Sequence, residues 1–211
     1  MAGLRYNNKI TLITGGSRGI GKGCVEVFVE NGAHVVFCSN DEEEGQQTEK
    51  DLSAKVPGRA WFIHGDVTNE EDVKYSLPHL RKTEGNIINI SSLVNQIGQG
   101  QGVTYVATKG AITSMTKALA IDEAKYNVRV NSIAPSNIWT PLFDSYIKTC
   151  ARPEEEKRHF ANNQLMGRFG TIQEIGQACL YLAADATFCT GIELNLSCGA
   201  ELNYGNKSMR Q

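Results

Sequence analysis

The sequence has no stretch long enough to cross a bilayer. Its longest unbroken apolar run is seven residues, 178–184, against the ~20 that a membrane-spanning helix needs. The first thirteen residues are interrupted by Asn7, Asn8 and Lys9, so no secretory leader is expected. Charge of one sign is also scarce: Lys plus Arg is 21 and Asp plus Glu is 23, a formal net charge of −2. So balanced a chain has no electrostatic footprint for nucleic acid. Six cysteines (Cys24, Cys38, Cys150, Cys179, Cys189, Cys198) include no C-x-x-C pair. That argues for reduced thiols in a cytoplasmic protein rather than a disulfide framework. The four histidines show no metal-ligand spacing, and no metal site is expected. Repeats, low-complexity tracts and linkers are likewise missing.

What is present is a packed globular chain. Hydrophobic residues make up 41% and charged residues 21% of 211, a composition that excludes disorder and suits one domain over 1–211. Glycine is enriched, 21 residues against a typical ~7%, and clusters at candidate turns.

Short β-branched runs alternate with longer amphipathic segments. Residues 9–14, 34–38, 60–64, 86–91, 128–133 and 192–196 read as strands. Residues 19–31, 42–55, 104–125 and 171–182 read as helices. Thr68-x-x-Glu71 and Thr171-x-x-Glu174 are capping boxes, and Pro78 is expected to kink or break the helix that the first one opens. Residues 134–141 read as an irregular loop and 142–168 as polar, weakly helical and mobile, with a polar tail at the end. Strands alternating with helices imply parallel βαβ units: a doubly wound, Rossmann-like α/β fold.

Two segments carry chemistry. Thr14-Gly15-Gly16-Ser17-Arg18-Gly19-Ile20-Gly21 lies between strand one and helix one. Glycines there permit a tight turn and let a pyrophosphate approach the helix N-terminus. Strand two ends on Ser39, Asn40 and Asp41, where an acidic residue holding a ribose is the common arrangement. Asp66 after strand three can cap the next helix or face an adenine. The second segment, Tyr105 to Lys109, places both side chains on one helix face. For a tyrosine to work as an acid or base, its pKa has to fall from ~10 toward neutrality, which takes ~4 kcal/mol. A neighbouring ammonium supplies part of that. Ser92, thirteen residues earlier at a strand end, falls where open parallel sheets bind ligands.

T-G-x-x-x-G-I-G, an upstream serine and Y-x-x-x-K in this order resemble the short-chain dehydrogenase/reductase family. The similarity covers two blocks, 5–74 and 77–205. It implies an NAD(P)-dependent enzyme that oxidises a secondary alcohol of a hydroxysteroid or a sugar, or reduces the ketone. NAD is the expected cofactor, with NADP not excluded. Tyr105 would be the general acid/base, Lys109 its partner and ribose anchor, and Ser92 the donor to the substrate oxygen. The resemblance puts Gly15, Arg18, Gly19, Ile20 and Gly21 at the pyrophosphate, and Ser39, Asn40 and Asp41 near the ribose. Asp66 and Val67 would border the adenine, and Ile138, Thr140 and Leu142 the nicotinamide. Gln99 would touch substrate. A homo-oligomer, a tetramer in the family pattern, is implied as well.

The chain departs from that pattern between its two blocks. Val73 and Lys74 run almost directly into Leu77-Pro78, where the family has a helix, a strand ending Asn-Asn-Ala-Gly and a second helix bearing the asparagine of its catalytic tetrad. A central strand and its flanking helices are therefore expected to be missing. The Ser92 strand could pair with strand one instead. Ser39 stands where an aspartate is usual, and Ser136 where a glycine often follows Pro135. The alternative function is a catalytically impaired module that only binds nucleotide or subunits.

Overall fold

β-Branched and aromatic runs form parallel strands, and the amphipathic stretches between them form helices, in the computed structural model, which describes residues 3–53, 57–69 and 76–202. The strands are β1 (Ile10–Thr14), β2 (His34–Ser39), β3 (Arg59–His64), β4 (Asn86–Ile90), β5 (Arg129–Pro135) and β6 (Glu193–Leu196). The described helices are α1 (Gly19–Glu30), α2 (Glu42–Ser53), α3 (Ser76–Thr83), α4 (Val94–Ile97), α5 (Val103–Glu123), α6 (Pro141–Thr149), α7 (Pro153–Asn162) and α8 (Ile172–Ala184). The chain divides into two compact units, one of Met1–Gly85 with Ile172–Phe188, the other of Asn86–Thr171 with Cys189–Gln211.

In the first unit the sheet order is β1-β2-β3, all parallel. Aligned partners in a parallel sheet share a face. Val35 pairs with Ala60, and Phe37 is tied to Ile13 and Phe62; Val35, Phe37 and Ala60 are buried. The other face carries Leu12, Val36 and Trp61 in one row and Cys38 with Ile63 in the next. It stays open: Ile10 is 81%, Leu12 58% and Ile63 57% exposed. Helices α1 and α8 pack together through glycines. A Cβ on Gly23 would fall 2.5 Å from the Ile172 carbonyl oxygen, and one on Gly176 2.7 Å from that of Gly23. No larger residue fits without parting the helices. Beside this contact, Cys24 and Cys179 are buried with their Sγ atoms 3.7 Å apart, and all six cysteines are free thiols.

In the second unit the order is β4-β5-β6, again parallel. Asn131, wholly buried on β5, donates to the Cys189 carbonyl (2.8 Å) and accepts from the Ile192 amide (3.2 Å). It thereby ties the turn before β6 to the sheet. Helix α5 packs on β4 and β5, where Asn89 donates to Thr116 Oγ1 at 2.9 Å.

Several expectations need correction. The Ser92 strand does not replace the missing neighbour of β1: β4 pairs with β5, and β1 with β2. Residues 142–168, expected to be only weakly helical, carry two helices, α6 and α7. Pro141 and Pro153 start α6 and α7 at positions where no intrahelical N–H is required. Phe143 packs edge-on against Phe160 (5.1 Å) and Phe169 (5.0 Å), with Trp139 against Phe169 (5.0 Å). This aromatic cluster supplies the burial that the surface residues lack. Pro78 is the third residue of the described helix α3, and the stretch 70–75 that would join it to Thr68 lies outside the described residues. Strand β5 runs on through Ala134 and Pro135, the start of the expected loop. Lys55, the capping-box Glu71, the Val73–Lys74 side of the seam and the tail at Gly205 lie outside the described residues.

Candidate active site

The glycine loop leaves β1 at its C-terminal end. Gly15 has φ +67°, and a Cβ there would meet nothing within 4 Å, so the surface beside it is open. A Cβ on Gly21 would lie 2.0 Å from the Gly15 carbonyl oxygen, so helix α1 starts against the loop backbone itself. No side chain caps the N-terminus of α1 and no acidic residue stands in its first turn. Its amide donors therefore remain for an anion. Open space at Gly15 and uncapped amides fit a dinucleotide pyrophosphate. Arg18, Gly19 and Ile20 occupy the mouth of the same turn.

Ser39 ends β2, and Asn40 and Asp41 follow it along the same sheet edge. Ser39 is buried and accepts hydrogen bonds from Ser17 Oγ (2.9 Å) and the Asp41 amide (3.1 Å). Asp41 Oδ1 caps α2 by accepting from the Glu44 amide at 3.0 Å. The Arg18 guanidinium lies 3.8 Å from Asp41 Oδ2 and 3.2 Å from Glu44 Oε2. After β3, Asp66 Oδ1 accepts from the Thr68 amide and hydroxyl, both at 2.9 Å. The Thr68 amide and then its hydroxyl hold that carboxyl below its ordinary pKa. Asp66 thus closes a turn, and Val67 beside it is 55% exposed.

In the second unit Ser92 follows β4, buried, its Oγ accepting from the Val94 amide at 3.4 Å. Tyr105 in the first turn of α5 is 48% exposed, and the Lys109 ammonium lies 5.7 Å from its ring centroid. Lys109 Nζ donates to the Ile90 carbonyl at 2.9 Å. Burial lowers its pKa from the usual 10.5, because a half-buried ammonium is poorly solvated. Ile138 is buried and bridges to Gly170. Thr140 caps α6, its oxygen accepting from the Phe143 amide at 3.2 Å, so its O–H remains free to donate. Leu142 is 83% exposed, and Gln99 sits in the loop between α4 and α5, its carbonyl accepting from the Gly102 amide. The structure therefore groups Gly15–Gly21, Ser39–Asp41 and Asp66–Val67 on one unit's strand ends. Ser92, Tyr105, Lys109, Ile138, Thr140 and Leu142 belong to the other, in the turns after β4 and β5 and on helices α5 and α6.

Sequence reasoning missed Ser17 and Glu44, which join the glycine loop to α2. It also missed the polar cluster of Ser91, Asn95, Thr113 and Glu193. One signal was available for the second group: Glu193 is an acidic residue opening the short strand Glu-Leu-Asn-Leu. Among the described residues, no three His, Cys, Asp or Glu side chains are grouped to hold a metal ion, and no helix is long and apolar enough to cross a membrane.

Parallel βαβ units with a glycine loop on one sheet and a Ser-Tyr-Lys set on the other define an oxidoreductase of the Rossmann-like class. Residues 9–79 match the family described as short chain dehydrogenase, and residues 73–201 match Enoyl-(Acyl carrier protein) reductase. The chain belongs to the short-chain dehydrogenase/reductase family. It is 43% identical to an L-fucose dehydrogenase of Rattus norvegicus, over 97% of this chain and 93% of the relative. That alignment spans 257 positions while the chain has 211 residues, so about fifty positions of the relative have no counterpart here. The two family matches meet at residues 73–79, around the seam. Among solved structures, the Cj0485 dehydrogenase is 26% identical with a TM-score of 0.85, covering all of both chains. L-sorbose reductase from Gluconobacter frateurii, solved with NADPH and L-sorbose, is 22% identical with a TM-score of 0.86, covering 95% of this chain and 98% of that one.

Proposed function

We propose that this chain binds NAD and oxidises a secondary alcohol of a sugar such as L-fucose. The observation that carries the reading is the Lys109 ammonium, anchored on the Ile90 carbonyl and 5.7 Å from the Tyr105 ring. Bound NAD would supply the hydride acceptor. The chain's own residues do the proton work. Tyr105 Oη takes the substrate hydroxyl proton, the Lys109 ammonium supplies positive charge beside it, and Ser92 Oγ holds the substrate oxygen. The Ile90 carbonyl anchors Lys109 directly. By the family resemblance Gln99 would meet substrate, and Ile138, Thr140 and Leu142 would border the nicotinamide; Gln99 and Leu142 are both exposed.

NAD is favoured over NADP by charge. A 2′-phosphate would add about two negative charges beside Asp41 and Glu44, and Arg18 already faces both carboxylates. A sugar is favoured over a hydroxysteroid by the 43% identity to an L-fucose dehydrogenase. Residence in the cytoplasm as a homo-oligomer belongs to the same reading. The purified chain given NAD and L-fucose should form NADH, and Tyr105→Phe should abolish it. NADH formation that survives the substitution, or none by the parent chain with any sugar or steroid alcohol, would refute the assignment.

A second reading, a module that binds nucleotide or subunits without turnover, is favoured by one observation: the exposed apolar face of β1–β2–β3 in a chain lacking about fifty positions of its relative. NAD binding without NADH formation would select it.

A further inference from the structure

Glu193 opens β6, and nothing in the proposed chemistry uses it. Its carboxylate nevertheless collects donors from two other elements. Oε1 accepts from Asn95 Nδ2 (2.8 Å) and from the Thr113 hydroxyl, and Oε2 accepts from Gln96 Nε2 (2.7 Å). Asn95 Nδ2 also lies 2.9 Å from Ser91 Oγ and 2.7 Å from Thr113 Oγ1. Ser91 Oγ in turn donates to the Lys109 carbonyl at 3.0 Å. Gln96 and Asn195 exchange a reciprocal pair of amide hydrogen bonds, 2.7 and 3.0 Å, beside the carboxylate.

Each tie has a particular place. Asn95 and Gln96 sit on α4, the single turn that begins two residues after Ser92. Thr113 is one helical turn beyond Lys109 and two beyond Tyr105 on the same face of α5. We infer that Glu193 is a positioning residue: it clamps the turn carrying Ser92 against the stretch of α5 carrying Tyr105 and Lys109, and so sets their spacing. A carboxylate suits the task because both oxygens only accept, and every group aimed at it is a donor. A glutamine of the same shape presents an N–H to one of those donors and breaks the pattern. The inference rests on the Ser-Tyr-Lys reading of the site.

The test compares Glu193→Gln, Thr113→Val and Thr113→Ser with the parent chain. Glu193→Gln and Thr113→Val should lower kcat for L-fucose oxidation at least ~10-fold, since displacements of ~1 Å cost that much or more. The NAD dissociation constant should change less than about twofold, because the pyrophosphate loop is on the other unit. Thr113→Ser keeps the hydroxyl and should restore kcat. Amide hydrogen exchange over residues 91–97 should rise at least ~10-fold in Glu193→Gln, with α7 unchanged. That readout needs no turnover, so it decides the clamp even if the parent chain proves inactive, an outcome that would count against the oxidoreductase reading alone. Unchanged exchange over 91–97, kcat within twofold of the parent in an active chain, or no recovery by Thr113→Ser would overturn the inference.

Discussion

At the scale of single residues, the account turns on a phenol, an ammonium and a guanidinium. Tyr105→Phe keeps the ring and removes the oxygen that takes the substrate proton. Its kcat should therefore fall ~10²–10⁴-fold while NAD affinity measured by fluorescence titration stays put. The guanidinium decides the nucleotide. Glu44→Gln frees Arg18 from one of its two carboxylates, and the same titration should show the NADP dissociation constant falling several-fold with that for NAD little changed. A larger gain for NAD would place Arg18 elsewhere. These residues were legible because each belongs to a short string, a glycine loop or a tyrosine and lysine four apart. Ser17 and Glu44 were not: 27 residues separate them, and only the fold of the βαβ unit brings them to 3.3 Å.

At the scale of elements, the glycine loop and the polar cluster on β6 make separable predictions. Gly21→Ala puts a Cβ 2.0 Å from the Gly15 carbonyl oxygen, backbone that cannot swing aside. The loop has to move, so NAD affinity should drop at least ~10-fold with kcat at saturating NAD much less affected. Burial by itself would raise the Glu193 carboxyl, but hydrogen bonds from Thr113, Gln96, Asn95 and Ser91 outweigh it and hold the pKa below 4.5. A carboxyl depressed in the folded state binds fewer protons than in the unfolded chain. It contributes stability above its unfolded value and loses that contribution as pH falls through the folded one. The melting temperature should thus fall more steeply from about pH 5 to pH 3 in the parent chain than in Glu193→Gln. Strand and helix order could be read from periodicity, since apolar runs bounded by Asn31-Gly32 or Pro57-Gly58 leave little choice. Residues 142–168 show only weak helical character in sequence, because the stability of α6 and α7 comes from Phe143, Phe160 and Phe169 meeting across sequence separations that no local pattern encodes.

At the scale of the molecule, the chain keeps the glycine loop and the Ser-Tyr-Lys set while lacking about fifty positions of its L-fucose dehydrogenase relative. The missing family strings around the seam made that legible; which strands would pair afterwards was not, because pairing is a non-local choice. One consequence is physical and local: Ile10, Leu12, Trp61 and Ile63 share one side of the first sheet and remain substantially exposed. Covering four such side chains would contribute several kcal/mol at ~1.5–3 each when fully buried, a large part of the ~5–15 kcal/mol that holds a domain together. A dye that fluoresces on apolar surfaces should therefore bind the native chain, and Leu12→Lys should weaken the signal. The most direct test of the whole account sets this chain beside one with the rat relative's extra segment inserted between Lys74 and Leu77, reading NADH formation from L-fucose. The account predicts measurable, Tyr105-dependent turnover in the short chain, at least ~10-fold below the restored one. Equal rates, or turnover indifferent to Tyr105 in both, would contradict it.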